Sequence, residues 1–262
     1  SSNSILLGNG VDPTGYSQRI SIGYQPDVQD GQSWDTIAIG ARAGTTNQGN
    51  NSIAMGNRAG NQNQGADAIA IGSSPNSSVG GAGYYYQGQY AVAIGAEAGE
   101  TSQGQQSIAI GYQSAQLNQG YQSIAIGYQS GQSNQGTFSI AIGSQAGQGT
   151  QGTGAIAIGY QAGTLTQADN TIAIGYQAGN QTQGTLAVSI GYQSGYQSQG
   201  SNSLAIGYLA GRALQGQFSV ALGSSAGQNT QGQNSVAVGT SAGFLTQGQF
   251  SVAIGSQAGL ST

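Results

Sequence analysis

The eight Asp and Glu residues are the first candidates for chemistry in this chain of 262 residues. Histidine and cysteine are absent, which excludes the common nucleophile–histidine triads and zinc sites. Glu97 and Glu100 are close in sequence, and two carboxylates at a fixed separation can hydrolyse a glycosidic bond. Because nothing else in the sequence supports catalysis, we interpret this pair as solvated charges near a turn. We predict that the chain is not an enzyme.

Two further sequence patterns are candidates for binding sites. Asp27, Asp30 and Asp35 offer carboxylate oxygens of the kind that Ca²⁺ prefers, but they lie in an irregular segment and the calcium-binding repeat Gly-Gly-x-Gly-x-Asp is missing. The run Gly80-Gly81-Ala82-Gly83 resembles a phosphate loop only in its glycine content, since no lysine and no helix pattern follow. We therefore predict no metal and no cofactor.

Composition excludes several classes of partner. Only 5 % of the residues are charged and the net charge is −4, whereas an ordinary soluble domain has about a quarter charged residues. The four basic residues do not cluster in sequence, so nucleic acid is an unsuitable partner. No run of about 18 apolar residues occurs, so we expect no membrane span. Solubility must come from Gln, Ser, Asn, Thr and Tyr.

The elements that position these residues are set by a repeat. A glycine closes each Ile-Ala-Ile-Gly block, and from Gly95 to Gly255 these glycines are always 16 residues apart. The first coils, in residues 1–36, are irregular, and a step of 23 residues from Gly72 to Gly95 predicts a loop insertion at about 73–86. Alternation with period two and short glycine-bounded segments are typical of strands. We predict an all-β parallel β-solenoid of about sixteen coils, forming one continuous domain over residues 1–262.

Stacked coils turn each repeat position into a column of equivalent side chains. The columns of Ala125 and Ser130 hold only small residues, whereas the columns of Ile124 and Ile126 hold large aliphatic ones. Because the repeats keep small or aliphatic residues at these positions on both sides of the strand, we infer that both of its faces are buried. We favour small residues in the interior and an outward apolar stripe that binds further copies of the chain; the alternative is that the isoleucines fill a single-chain core. The predicted self-association residues are Ile108, Ile110, Ile124, Ile126, Ile140, Ile142, Ile156, Ile158, Ile172 and Ile174.

Polar and aromatic columns complete the unit. A first glutamine ladder runs from Gln48 to Gln247, and we expect its stacked amides to donate to one neighbour and accept from the next. A second, shorter ladder runs from Gln113 to Gln193. Tyrosines beside it suggest a surface for sugar rings, although a merely stacked surface is the favoured interpretation. The possible ligand surface comprises Tyr84, Tyr85, Tyr86, Tyr112, Tyr128, Tyr160, Tyr176, Tyr192 and Tyr208.

The block Ser-Ile-Ala-Ile-Gly-Tyr-Gln-Ser/Ala-Gly, as at 123–131, 171–179 and 251–259, resembles the head repeats of YadA-like trimeric autotransporter adhesins. It is also similar to repeats of phage and virus tail-fibre proteins. The resemblance implies a left-handed parallel β-roll, three chains side by side, and attachment as the function. It places small interior residues at the Ala125 and Ser130 columns and trimer-facing aliphatics at the Ile124 and Ile126 columns.

These observations predict a structural or adhesive fibre, on a cell surface or a virion, that associates with itself as a homotrimer or as an end-to-end filament. A host surface glycan or protein is the further partner we consider. The alternative is a glycan-binding module, or less plausibly an ice-binding one, since the column from Asn47 to Thr246 mixes Asn, Ser, Thr and Leu instead of forming a regular Thr face.

Overall fold

The computed structural model describes residues 4–7, 19–25, 34–74 and 80–260, with the first of these segments described by its backbone alone. The chain divides into two compact units, Ser1–Asn134 and Gln135–Thr262. In both units the described secondary structure consists of short strands joined by turns, and every described strand pairing is parallel. The predicted fold class, an all-β parallel β-solenoid, is confirmed. That all 262 residues form one continuous domain stays a prediction.

The first unit contains two parallel ladders of strands. β1, β2 and then the odd-numbered strands from β3 to β13 pair in one ladder, and the even-numbered strands from β4 to β12 pair in the other. The strands are β1 (Ser4–Leu7), β2 (Arg19–Ile22), β3 (Thr36–Ile39), β4 (Thr46–Gln48), β5 (Ile53–Met55), β6 (Gln62–Gln64), β7 (Ile69–Ile71), β8 (Tyr85–Gln87), β9 (Val92–Ile94), β10 (Thr101–Gln103), β11 (Ile108–Ile110), β12 (Leu117–Gln119), β13 (Ile124–Ile126) and β14 (Ser133–Gln135), which contains the boundary between the units.

The second unit repeats this plan from Gln135 onward. Odd-numbered strands from β15 to β29 form one ladder and even-numbered strands from β16 to β28 form the other. The strands are β15 (Ile140–Ile142), β16 (Thr150–Gln151), β17 (Ile156–Ile158), β18 (Thr166–Gln167), β19 (Ile172–Ile174), β20 (Thr182–Gln183), β21 (Val188–Ile190), β22 (Ser198–Gln199), β23 (Leu204–Ile206), β24 (Leu214–Gln215), β25 (Val220–Leu222), β26 (Thr230–Gln231), β27 (Val236–Val238), β28 (Thr246–Gln247) and β29 (Val252–Ile254).

The described coils number about fourteen, not the sixteen we expected. The difference lies at the start, where β1 and β2 join the odd-numbered ladder but have no even-numbered strand beside them among the described residues. The insertion does not disturb the register: Gln64 pairs with Gln87 across it, as Gln48 pairs with Gln64 before it. The even-numbered ladder therefore keeps its register on either side of the insertion.

The recurring glycine after each odd-numbered strand is required by the neighbouring coil. Gly175 has φ +127°, and a Cβ placed there would lie 2.5 Å from the carbonyl oxygen of Gly191 in the next coil. Only glycine tolerates both this dihedral and this approach of one backbone to another. The 16-residue spacing of these glycines thus reflects a contact that every coil makes with its successor.

Small side chains fill the interior. The Ala125 and Ser130 columns are fully buried in the inner coils, as at Ala157 and Ala162, and are more exposed only in the last described coil, at Ala253 and Ala258. A coil of sixteen residues is too narrow to enclose two large aliphatic layers, so alanine and serine occupy the space between the two ladders. The interpretation that small residues face inward is confirmed.

The even-numbered strands differ between the two units in the backbone conformation of one repeat position. In the first unit the residue before each ladder glutamine has a left-handed backbone, with φ between 52° and 56° at Asn47, Asn63, Tyr86, Ser102, Asn118 and Asn134. In the second unit none of the equivalent residues has a positive φ, and most of them are threonine: Thr150, Thr166, Thr182, Ser198, Leu214, Thr230 and Thr246. Asparagine tolerates this conformation, whereas β-branched threonine does not. The mixed column in the sequence therefore records two coil conformations.

Candidate functional site

The isoleucines form an outward stripe, which we call the isoleucine stripe. All ten residues from Ile108 to Ile174 that we predicted for self-association are half-buried, while the alanine between each pair is fully buried. The alternative with isoleucine in a single-chain core is therefore wrong for the described coils. The inference that both faces are buried holds only for the inner face within one chain.

Stacking along the stripe accounts for the partial burial. Val252 and Ile254, on the last described strand, are 66 % and 67 % exposed, whereas their equivalents in inner coils are covered from both sides by neighbouring coils. What stays exposed in each coil is the outer edge of the side chain. Repeated over the consecutive coils of each unit, these edges make an apolar surface of a kind that soluble monomers seldom expose.

The first glutamine ladder faces the interior, but it is not the amide chain that we predicted. Its side chains are 1–6 % exposed, and each mostly donates to backbone carbonyls across the coil. Gln151 Nε2, for example, donates to the carbonyl oxygens of Ile140 at 2.8 Å and Ala155 at 3.0 Å. These bonds tie the two ladders of one coil together. The prediction failed because the nearest free acceptors are the carbonyls on the facing strand, not the next amide.

Amide-to-amide bonds join this ladder at only a few places, and one of them explains an exception in the sequence. Ser189 is the only non-alanine in its column from Ala38 onward, and it is fully buried. Its hydroxyl donates to Gln199 Oε1 at 2.5 Å and accepts from Gln183 Nε2 at 3.1 Å. Gln183 Nε2 also donates to Gln199 Oε1 at 2.9 Å. The glutamines thus supply the partners that a buried hydroxyl needs.

The second glutamine ladder, nearer the surface, has the bonding expected of the first. Within each unit, every described amide donates to the residue one coil earlier at 2.7–2.8 Å: Gln113 to Glu97, Gln129 to Gln113, Gln161 to Gln145, Gln177 to Gln161, and Gln193 to Gln177. These residues have left-handed backbones, with φ of 49–57°. The turn they occupy holds equivalent amides one strand spacing apart, which suits a donor–acceptor chain.

The tyrosines beside this ladder stack face to face. Ring centroids lie 5.7 Å apart for Tyr112–Tyr128, and 5.3, 5.0 and 5.2 Å apart along the series Tyr160, Tyr176, Tyr192 and Tyr208, with interplanar angles of 5–19°. Each ring is 40–55 % exposed. Because neighbouring rings cover one another's faces, the ladder presents mainly ring edges and hydroxyls to solvent. This geometry favours the stacked-surface interpretation over a platform for sugar rings.

The three consecutive tyrosines lie apart from this ladder. Tyr85 is on β8, in register with Thr101 of the next even-numbered strand, and Tyr86 on the same strand is 62 % exposed. Tyr84 and Tyr85 meet edge to face with centroids 4.1 Å apart. Burial, followed by the hydrogen bond with Tyr85, raises the pKa of Tyr84. The predicted ligand surface is therefore two separate groups of tyrosines.

The Glu97–Glu100 pair is not solvated as we expected. Glu97 is 3 % exposed, and its Oε2 accepts from Gln113 Nε2 at 2.7 Å and Gln116 Nε2 at 3.0 Å. Gln116 Nε2 also donates to Glu100 Oε2 at 2.8 Å. The amides of the corner replace water around these carboxylates, which explains the error. The negative charge of Glu97 in turn raises the pKa of the nearby Tyr112.

The remaining sequence predictions concern a metal site and a membrane span. Asp27 and Asp30 lie outside the described residues, so the calcium hypothesis is not tested there. Within the segments that are described, no group of three or more acidic, His or Cys side chains could hold a metal ion. In the same segments there is no helix with the length and hydropathy of a membrane span.

Both units are parallel β-solenoids built from tandem 16-residue repeats, with small residues inside and aliphatic residues outside. The family model of the YadA head domain repeat matches the chain in two copies, over residues 35–59, 102–115 and 151–178. Over these residues the chain is similar to YadA head repeats, and the resemblance seen in the sequence is confirmed. No curated protein matches the chain.

One group of residues escaped the sequence analysis. Arg42 and Arg58 are two of only four basic residues, and they occupy the same repeat position in consecutive coils. The structure places Gly81, at the end of the insertion, against the backbone of the second of them, because a Cβ on Gly81 would lie 2.8 Å from the Arg58 carbonyl carbon. Their spacing of one repeat was the signal that could have found them.

Proposed function

We propose that this protein is a non-enzymatic, surface-exposed fibre that associates with itself through the isoleucine stripe and serves in attachment. The observation that carries this proposal is the inside-out arrangement of each coil: alanine, serine and glutamine are buried, while the large aliphatic side chains face outward. A monomer would leave this apolar surface in water along every described coil. The YadA head repeats support an adhesin-type fibre.

A second copy of the chain is the simplest partner that could bury the isoleucine stripe. The stripe repeats with one strand spacing, so the same stripe on another chain matches it coil by coil without any further adaptation. Three chains about one axis are the arrangement that the family resemblance favours. End-to-end stacking of coils is the competing form, because open parallel edges can pair with another chain.

The mass of the protein in solution, measured by light scattering after size exclusion over a range of concentrations, tests this proposal. A stable mass of three chains supports the trimer, and a mass that grows with concentration supports the filament. A monomer at every concentration refutes self-association.

Paired variants locate the contact. Ile156→Gln with Ile172→Gln places amides on the stripe, where they are buried on association without partners, so we expect the assembly to dissociate. Thr166→Gln with Thr182→Gln makes a matched change at exposed positions of the even-numbered ladder and leaves the mass unchanged. Equal loss of assembly in both pairs would place the contact elsewhere.

Glycan binding along the stacked tyrosines is the second candidate function. Tyr160→Ala with Tyr176→Ala removes two rings from the middle of the ladder, and loss of binding on a glycan array would support this candidate. Ice binding has one exposed threonine column in its favour, in the second unit, and absence of thermal hysteresis removes it.

A further inference from the structure

The second unit carries its most easily oxidised side chains in one column. The sequence from Gln135 to Thr262 contains no Cys, His, Met or Trp, so tyrosine is the side chain there that loses an electron most readily. Ser144 precedes the tyrosines of this column and Ser224 follows them, so the ladder ends on both sides at a residue that is not aromatic. Four of the five tyrosines of the unit belong to it, one repeat apart: Tyr160, Tyr176, Tyr192 and Tyr208.

Hydrogen bonds hold these rings in register. Gln177 N donates to the carbonyl oxygen of Tyr160 at 2.8 Å, and Gln193 N donates in the same way to Tyr176. Beside the rings, Gln177 Nε2 donates to Gln161 Oε1 at 2.8 Å, and Gln193 Nε2 donates to Gln177 Oε1 at the same distance. Both the backbone and the neighbouring amides therefore keep successive tyrosines one strand spacing apart.

Successive rings of the ladder are nearly related by a translation of one coil. The ring centroids of Tyr176 and Tyr192 are 5.0 Å apart and the two planes differ by 5°. In rings related by translation, every atom lies as far from its counterpart as the two centroids lie from each other. The ortho carbons beside the two hydroxyls therefore face each other across about this distance. Both rings are partly exposed, so they have room to tilt towards each other and their edges are accessible to an oxidant.

We propose that this tyrosine ladder is a site of oxidative cross-linking, at which a peroxidase with hydrogen peroxide joins tyrosines of adjacent coils as dityrosine. Each ring gives up one electron and its phenolic proton and becomes a tyrosyl radical. The two radicals combine in one carbon–carbon bond between ortho carbons, and the hydrogen of each of these carbons then moves to the phenolic oxygen. One hydrogen peroxide takes up the two electrons and two protons and leaves as two molecules of water.

The product fastens neighbouring coils to each other covalently. Tyr176 and Tyr192 are 16 residues apart, so the bond closes a short loop and restricts the unfolded chain, as a disulfide does. Disulfides cannot serve this purpose here, because the chain has no cysteine. Cross-linked protein should therefore unfold at a higher temperature than untreated protein. The proposal goes beyond the proposed function, since it concerns bonds within one chain.

Treatment of the full chain with a peroxidase and hydrogen peroxide, at micromolar protein concentration, tests the site. Groups held side by side have effective concentrations of about 1 mM or more, so coupling within a chain should exceed coupling between free chains by about a thousandfold. Dityrosine fluorescence measures the yield, denaturing electrophoresis separates single chains from joined ones, and mass spectrometry of proteolytic peptides locates each bond. We expect single chains that have lost two hydrogens per bond, with the bonds between neighbours in the ladder.

Two double variants with equal numbers of tyrosines supply the matched control. Tyr176→Phe with Tyr208→Phe leaves no two neighbouring tyrosines in the ladder, so the bonds of the second unit should be lost. Tyr160→Phe with Tyr208→Phe removes as many hydroxyls but keeps Tyr176 next to Tyr192, so a bond should form between these two. Tyr196→Phe removes the fifth tyrosine of the unit, which lies outside the ladder, and should leave the yield unchanged. Phenylalanine keeps the aromatic ring, and circular dichroism checks that each variant is folded.

Equal yields of second-unit bonds in the two double variants overturn the site. Bonds that involve Tyr196, or that occur only between different chains, overturn it as well. The mass of the untreated protein separates this proposal from the proposed function. A monomer that forms bonds between adjacent coils keeps the site and loses the self-associating fibre, whereas an assembled protein without such bonds keeps the fibre and loses the site.

Discussion

The first glutamine ladder should contribute unevenly to stability, although its sequence is uniform. Gln183 uses all of its polar groups: the two Nε2 hydrogens are shared among Ile172 O, Ser189 Oγ and Gln199 Oε1, and Oε1 accepts from Gln167 Nε2. Gln151 donates to two carbonyls, while its buried Oε1 has no hydrogen-bond partner among the described residues. Both side chains are 1 % exposed. The two positions therefore compare a saturated buried amide with a half-saturated one.

The expected magnitudes follow from these contacts. Each substitution to alanine removes one buried methylene, at about 0.8 kcal/mol, and its hydrogen bonds, at about 1 kcal/mol each. With two N–H donors and one acceptor engaged, Gln183→Ala should thus cost about 4 kcal/mol. Gln151→Ala should cost about 1 kcal/mol, because removal of its unpaired oxygen relieves a desolvation penalty of about 1–3 kcal/mol. The isosteric Gln151→Met should be close to neutral, whereas Gln183→Met should cost about 3 kcal/mol.

Urea denaturation followed by far-ultraviolet circular dichroism measures these differences, at one protein concentration and with the mass of each variant checked. The matched control is Gln217→Ala, an exposed glutamine in the same unit, which should change the free energy of unfolding by less than about 0.5 kcal/mol. Equal losses at Gln183 and Gln151 would refute the claim that hydrogen-bond saturation sets the stability of each coil. A loss at Gln183 no larger than at Gln217 would refute the interior position of the ladder.

Three further predictions concern the turns and the corner. Gly232→Ala should destabilise the fold by several kcal/mol, since its Cβ would lie 2.5 Å from the Gly248 carbonyl carbon, whereas Gly248→Ala meets no atom within 4 Å; thermal denaturation of the two variants should differ clearly. Asn118→Thr should cost about 1–3 kcal/mol because threonine is strained at φ 55°, while Thr182→Asn at the equivalent position of the second unit should be neutral in the same urea titration. Glu97→Gln should lower the pKa of Tyr112 towards its ordinary value of 10.0, because the negative carboxylate of Glu97 disfavours the tyrosinate. Spectrophotometric titration of this variant beside the Glu100→Gln control measures the change. An unchanged Tyr112 pKa in Glu97→Gln would contradict the assigned cause.

Much of the fold could be predicted because the residue types at each repeat position indicate which side chains lie inside the coil. Small residues at the Ala125 and Ser130 columns, beside aliphatic ones at Ile124 and Ile126, place the narrow interior on the correct side of the strand. The glycine column marks the approach of one coil to the next. These features were predictable because stacking gives equivalent residues equivalent surroundings. The thirteen or more residues at one repeat position therefore all reflect the same packing requirement.

The incorrect predictions concern side chains that have more than one possible hydrogen-bond partner. The amides of the first glutamine ladder find carbonyls of the facing strand at hydrogen-bond distance, a fact that depends on the width of the coil and not on the spacing of glutamines. Glu97 is buried because Gln113 and Gln116 reach it, which no local pattern at Glu97 indicates.

The glycine contacts also bear on how such a chain can change in length. Within the second unit, each coil needs glycine where its backbone closely approaches the next coil, as at Gly175, Gly191 and Gly207, together with strand pairing along two ladders. A duplicated repeat contains the same glycines and the same strands, so it can form these contacts with both neighbouring coils. The number of repeats can therefore change by recombination between similar segments without producing a sequence that misfolds. A substitution in the interior of a coil, by contrast, must fit the coils on both sides of it. Evolution of this protein should therefore tolerate a change in the number of repeats more readily than a change in the residues that fill each coil.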